Sequence, residues 1–125
     1  MIIVFIDGSG NGYYGYQMYD EEPTIYHASG KITFNQAEFE ALVCLLKDLK
    51  PKSHILVFSD SKIVVNSYKQ SWCLKNARLK QLRDQALHLA KKKEISIRIE
   101  WIPREQNLFG IYLDEYRTMD MNRTI

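Results

Sequence analysis

Hydrophobic and polar positions follow two different periods along this chain, and the switches between them mark its elements. Met1 to Ile6 is an unbroken apolar run ending at Asp7, which predicts a strand buried on both faces. Gly8 to Gly12 follows, and Asn11-Gly12 is a hairpin signal. Tyr13 to Tyr19 is aromatic-rich and strand-like, Asp20-Glu21-Glu22-Pro23 is a turn, and Thr24 to Thr33 reads as a third strand interrupted at Gly30. The chain therefore opens as a three-stranded antiparallel meander. The period then becomes helical. Leu42, Leu45, Leu46 and Leu49 predict a helix over 37–49, with its N-cap region at Asn35 and a stop at Pro51. His54 to Ser59 is a second apolar strand, ending at Asp60. Ser61 to Tyr68 and Leu74 to Lys93 read as helices, the second from Leu79, Leu82, Ala86, Leu89 and Ala90. Ile95, Ile97, Ile99 and Trp101 alternate with polar residues, a half-buried strand ended by Pro103. A last helix is expected over 106–117, and the tail after Met119 is expected to fray.

The order β-β-β-α-β-α-α-β-α predicts an α/β fold, a mixed five-stranded sheet with helices on both faces. A strand–helix–strand unit of this kind is parallel and right-handed in nearly all cases. Sites in open α/β sheets form at the carboxyl ends of strands. Asp7 and Asp60 both stand at such ends and meet if their strands are neighbours.

Bulk numbers narrow this picture only a little. The 125 residues suit one domain, 1–125, and 46% hydrophobic with 26% charged residues is enough to bury a core without staples. The net charge of +2 says little about partners. Its distribution says more: Lys69 to Lys93 holds eight basic residues and one acid, Asp84. That is the footprint of a phosphate-backbone binder, or else a solvated helix face whose Lys91-Lys92-Lys93 run complements a helix C-terminus. Cys44 reads as a small core residue, and neither it nor Cys73 has metal-ligand spacing. Met1 already belongs to the first strand, so no signal peptide is expected, and no apolar run is long enough to span a membrane. A reduced cytoplasmic protein is the default, with a monomer favoured.

The chemistry lies in three carboxylates. Glu38 falls four residues before Leu42, on the apolar stripe of its helix. Taken singly, Asp7 fits an Asx turn, Asp60 a helix cap, and Glu38 the helix macrodipole. Together they would crowd negative charge and raise one another's pKa. A pair of divalent ions resolves that, and two ions about 4 Å apart clamp the attacking and leaving oxygens of a phosphodiester.

Four segments, in order and on matching elements, resemble the type 1 ribonuclease H family of the short archaeal-like kind. They are Asp7-Gly8-Ser9 with Gly12 and Gly15, the stretch from Thr33 to Phe39, Phe58-Ser59-Asp60-Ser61 with the residues to Val65, and Trp101-Ile102-Pro103-Arg104-Glu105-Gln106-Asn107. The resemblance spans nearly the whole chain. It implies the ribonuclease H-like fold and hydrolysis of the RNA strand of RNA/DNA hybrids with two Mg²⁺ or Mn²⁺ ions, leaving 5′-phosphate ends. No small-molecule cofactor is implied. Asp7 would bridge both metals, Glu38 and Asp60 would each hold one side, and a metal-activated water would attack the phosphate. Gly8, Ser9 and Gly10 would face the RNA strand through their backbone. Asn35 would reach a minor-groove edge or a 2′-hydroxyl, and Lys75, Asn76 and Arg78 would hold DNA phosphates. Arg104 would touch the scissile phosphate or aid product departure, with Asn107 completing the substrate-binding set.

The chain departs from the family pattern in places. The position of the family's fourth acid, four residues after Asn107, is Ile111, preceded by Gly110 rather than alanine. Asp114 and Glu115 lie three and four residues further on. Helical side chains lean toward the N-terminus, and three residues displace a group by about 4.5 Å. Asp114 is the expected fourth catalytic and metal-binding acid. Phe34 replaces an asparagine and reads as a core aromatic, or as a stacking surface if exposed. Lys62 replaces a glutamine and adds charge near the metals, to contact a phosphate or compete with a cation. Arg104 could otherwise form a salt bridge with Glu105 or a neighbour. His27, His54 and His88 read as structural.

Two rival readings come with this one. The first is a hybrid- or duplex-binding module weakened in turnover by Ile111. The second is a nuclease of the same fold acting on another nucleic acid.

Overall fold

A computed structural model describes residues 1–70 and 73–123. Its strands are β1 (Ile2–Gly8), β2 (Tyr13–Met18), β3 (Thr24–His27), β4 (His54–Ser59) and β5 (Ser96–Trp101). Its helices are α1 (Phe34–Asp48), α2 (Lys62–Gln70), α3 (Ala77–Lys92) and α4 (Leu108–Arg123), with a short 3₁₀ turn at Arg104–Gln106. They follow the predicted order. The sheet runs β3-β2-β1-β4-β5. The meander is antiparallel, while β1, β4 and β5 are parallel.

The period-two alternation of β1 divides its side chains between two cores. Val4 and Ile6 join Ile55, Val57 and Ile99 in the larger core, under α1, α2 and α3. Phe5 joins a smaller core with Phe109 and Leu113 of α4, against which Phe58 and Ile102 pack. Asp7 follows the parity of Phe5 and Asp60 that of Phe58. Both acids therefore belong to the α4 side of the sheet.

Several expected boundaries move, each for a local reason. The cap of α1 is Thr33, not Asn35. Thr33 Oγ1 accepts from Gln36 N at 3.1 Å and Gln36 Oε1 accepts from Thr33 N at 2.8 Å, a reciprocal capping box. Asn35 thus lies in the first helical turn. Phe34 is not a core aromatic: it opens the helix and is 54% exposed. The third strand stops at His27: Ala28 N still donates to Gly12 O at 2.9 Å, and the chain beyond it turns toward the cap of α1. The chain after Met119 does not fray at once. α4 runs on to Arg123, held by a hydrogen bond from Tyr13 Oη to Asp120 and the edge contact of Tyr13 with Tyr116. Residues 124 and 125 lie outside the described residues.

The basic segment is partly spent within the molecule. Lys69 pairs with Glu100, Arg78 with Glu40 and Arg83 with Asp84. Lys93 Nζ donates to Leu46 O and Lys47 O at 2.7 and 2.9 Å, and so serves the C-terminus of α1 rather than that of its own helix. Among the described residues, no helix is long and apolar enough to cross a membrane.

Candidate metal centre

Parallel register brings the first two acids together. Phe5 stands beside Phe58, so two residues on, Asp7 stands beside Asp60. The turn after β4 is fixed from inside. Ser61 N donates to Ser59 Oγ, Val64 N to Ser61 Oγ and Trp101 Nε1 to Asp60 O, at 3.0–3.3 Å. Ser61, not the Asp60 carboxylate, therefore bonds the first turn of α2 and leaves that carboxylate free for other work.

The third acid arrives through a close backbone approach. A Cβ on Gly8 would lie 2.5 Å from Ala37 O and Glu38 N, so only glycine lets α1 settle directly on the end of β1. That contact puts Glu38 beside Asp7. Oxygens of Asp7, Glu38 and Asp60 all lie within 4.8 Å of one another. Glu38 is fully buried, and neither of its oxygens has a hydrogen-bond partner. Burial, and then the charges of Asp7 and Asp60, push its carboxyl well above the usual range. Burial likewise pushes Asp7 up to about 6, against the pull of Arg104.

The fourth wall comes from the turn after β5 and from α4. Asn107, fully buried, caps α4 by accepting from Gly110 N at 3.0 Å. Its amide nitrogen donates to Ile6 O at 2.9 Å and to Asp60 Oδ2 at 3.1 Å. One side chain thus joins α4, β1 and an acid of the cluster. Expected to contact substrate, Asn107 instead spends both ends of its amide inside the protein.

Arg104 lies at the centre of the charge. Its Nη1 is 2.8 Å from both Asp7 Oδ1 and Asp60 Oδ2, and the contact with Asp7 lacks hydrogen-bond geometry. Its Nη2 lies 2.8 Å from Asp114 Oδ2 and 3.1 Å from Gly110 O. It does not pair with Glu105. Asp114, half exposed, reaches the cluster only through this guanidinium and is not among the three acids whose oxygens converge. Ile111, at the family's fourth acid position, is 43% exposed.

The other expected contact residues are spread around this centre. Gly8 and Ser9 are buried, which leaves Gly10 as the exposed member of that turn. Asn35, Lys62, Lys75, Asn76 and Arg78 are exposed. Asn76 Oδ1 caps α3 by accepting from Leu79 N at 3.1 Å. Lys62 lies 5.0 Å over the ring of Trp101. Sequence reasoning missed Trp101 as a brace for Asp60, although a tryptophan closing a half-buried strand was the available signal. It also missed what Gly110 makes room for.

The donor set fits hard divalent cations: three carboxylates, oxygen ligands only, with both buried oxygens of Glu38 lacking a hydrogen-bond partner.

Comparison with known proteins agrees with this architecture. Residues 8–113 match the family model described as reverse transcriptase-like. The bifunctional protein Rv2228c of Mycobacterium tuberculosis is 34% identical over 85 residues, 66% of this chain and 23% of that protein. The chain therefore matches only about a quarter of the length of that curated relative. The solved N-terminal RNase H domain of Rv2228c aligns with a TM-score of 0.65 and 31% identity over 87% of this chain and 88% of that one. LC11-RNase H1 in complex with an RNA/DNA hybrid gives 0.73 and 25% over 86% and 89%. RNase H1 of the halophilic archaeon Halobacterium salinarum gives 0.71 and 24% over 85% and 88%. The chain belongs to the reverse transcriptase-like family and has the ribonuclease H fold, the kinship with type 1 ribonuclease H that its four motifs implied.

Proposed function

We propose that the chain is a metal-dependent endonuclease that hydrolyses the RNA strand of RNA/DNA hybrids. The observation that carries this reading is Glu38, a fully buried carboxylate with both oxygens unpartnered, facing Asp7 and Asp60. An uncompensated buried acid costs several kcal/mol, and here burial and the charges of Asp7 and Asp60 outweigh the pull of the Gly8 backbone. Asp7, Glu38 and Asp60 would hold Mg²⁺ or Mn²⁺, two ions per site. Bound there, the ions supply a Lewis acid for the phosphate and lower the pKa of a bound water.

The remaining residues act on geometry and charge. Asn107 and Trp101 fix Asp60. Gly8 fixes the distance between β1 and α1. Asn35 and the exposed ring of Phe34 stand at the start of α1, where a sugar edge or base could lie. Lys75 and Arg78 offer positive charge to phosphates at the start of α3, and Arg78 gives up its contact with Glu40 to do so. That LC11-RNase H1 is solved with an RNA/DNA hybrid supports this choice of substrate. A binding module of reduced turnover is the second reading, favoured by Ile111 and by the engagement of Asp114 with Arg104. A monomeric cytoplasmic enzyme remains the working picture.

The test is cleavage of a labelled hybrid with Mg²⁺ or Mn²⁺, beside RNA-only and DNA-only duplexes. Cutting of the hybrid's RNA strand is expected, with Asp7→Asn reducing it by about 10²–10³ or more. Hybrid binding without cutting, in either metal, would establish the second reading instead.

A further inference from the structure

Arg104 competes for the oxygens a metal would need. Nη1 touches one oxygen of Asp7 and one of Asp60, two of the three converging acids, while Nη2 is held by Asp114 and by the carbonyl of Gly110. A guanidinium stays charged at any working pH, so this is a permanent cation inside the acid cluster. Its seat depends on a missing methyl group. A Cβ at position 110 would stand 2.9 Å from Arg104 Cζ and closer still to Nη1. Glycine in a helix is about 1 kcal/mol less favourable than alanine. The helix carries that penalty at the position whose carbonyl accepts from the guanidinium and whose missing Cβ leaves room for it.

We infer that Arg104 is the built-in counter-ion of the acid cluster, competing with divalent metal for Asp7 and Asp60, and that Gly110 and Asp114 are the positioning residues that seat it. This rests on reading the cluster as a metal centre. Metal entry then requires the guanidinium to leave Asp7 and Asp60, and Asp114 regulates occupancy as a holder of Arg104 rather than as a ligand. Lys62, drawn over Trp101, is not the cation that occupies the acids.

The assignment reverses the sign expected for Asp114. A direct ligand, when neutralised, weakens metal binding. A residue that holds the competitor in place, when neutralised, strengthens it.

The experiment is calorimetric titration of Mn²⁺ into the full chain without nucleic acid, beside Arg104→Ala, Gly110→Ala, Asp114→Asn and Asp7→Asn, with thermal melts in chelator. Arg104→Ala should bind Mn²⁺ about tenfold more tightly or better, the scale expected when a charge touching two carboxylates is removed. Gly110→Ala should shift affinity the same way while keeping the arginine, and Asp114→Asn should tighten binding too. In chelator, Arg104→Ala should melt lower than the parent chain and show the larger rise on adding Mn²⁺. Should Arg104→Ala prove too unstable for calorimetry, Gly110→Ala and Asp114→Asn carry the same comparison. Parent-like affinity in Arg104→Ala and Gly110→Ala, with binding still lost in Asp7→Asn, would overturn the counter-ion assignment and leave the metal centre intact. Weaker binding in Asp114→Asn would make Asp114 a ligand and overturn its role as holder. Absence of Mn²⁺ binding in every variant, or binding indifferent to Asp7→Asn, would overturn both the assignment and the metal reading.

Discussion

The two walls of the acid cluster are built by different means. On one side, β1, α1 and β4 deliver Asp7, Glu38 and Asp60 through backbone: strand register, a glycine against a helix, an internally bonded turn. On the other, the turn after β5 and α4 deliver Arg104, Asn107 and Asp114 through side chains, one of them long and spanning the gap. The first wall has little freedom and follows the family pattern. The second keeps Arg104 and Asn107 of that pattern but lacks its acid at Ile111, and there the guanidinium stands among the remaining acids. Backbone-built geometry resists substitution because moving one acid means moving a strand. Geometry built by side chains can be rewritten by changing two or three residues.

The sharpest way to break the first wall is Gly8→Ala. Its methyl would meet backbone rather than a flexible side chain, so destabilisation of about 3 kcal/mol is expected, at the upper end for overpacking. Chemical denaturation measures it; a change below about 0.5 kcal/mol, the range of neutral surface substitutions, would mean that α1 can simply slide. Asn107→Ala tests the joint between the walls. It leaves Ile6 O and Gly110 N without their partner, with an expected loss of about 1–3 kcal/mol, and it frees Asp60 to turn. Unchanged stability would place the joint elsewhere.

The smallest effect is in pH. Asp7 is raised to about 6 and Glu38 is raised as well, mainly by burial. A raised acid means that the folded chain binds more protons than the unfolded one between the ordinary carboxylate range and the folded value. Stability of the metal-free protein therefore falls as pH rises through about 6 and is regained on acidification toward about 4. Melting in chelator should occur at higher temperature near pH 5 than near pH 7.5, with a flatter profile in Asp7→Asn. The opposite slope would show Arg104 dominating the cluster by holding its acids ionised.

The same contrast explains what was legible in the sequence. Apolar runs and a helical stripe carried the element order, and the position of Glu38 on that stripe pointed to a buried acid, because periodicity reports backbone placement directly. The strand ends at Asp7 and Asp60 were readable for the same reason. Asn35 looks like the cap by residue type, but Thr33 and Gln36 form the capping-box pair. The type of Phe34 favours the core over an exposed stacking surface, yet its place at the first turn of α1 turns it outward. The resemblance brings Arg104 to the acid centre, but which acids it touches is not legible in the sequence. A long side chain has many rotamers, and its choice here depends on three acids from distant parts of the chain and on the absence of one carbon at Gly110. The length of α4 depended on a tertiary contact, Tyr13 with Asp120, that no local pattern encodes.

The parallel pairing of β1 with β4 also has a kinetic side. Asp7 and Asp60 meet only after the chain between them has formed α1 and crossed back to the sheet, so the loop-closure entropy is spent before any contact rewards it. The last step of that closure brings like charges together. Pairing the strands therefore carries an electrostatic cost, and a proton, the guanidinium of Arg104 or a divalent ion lowers it by neutralising the cluster.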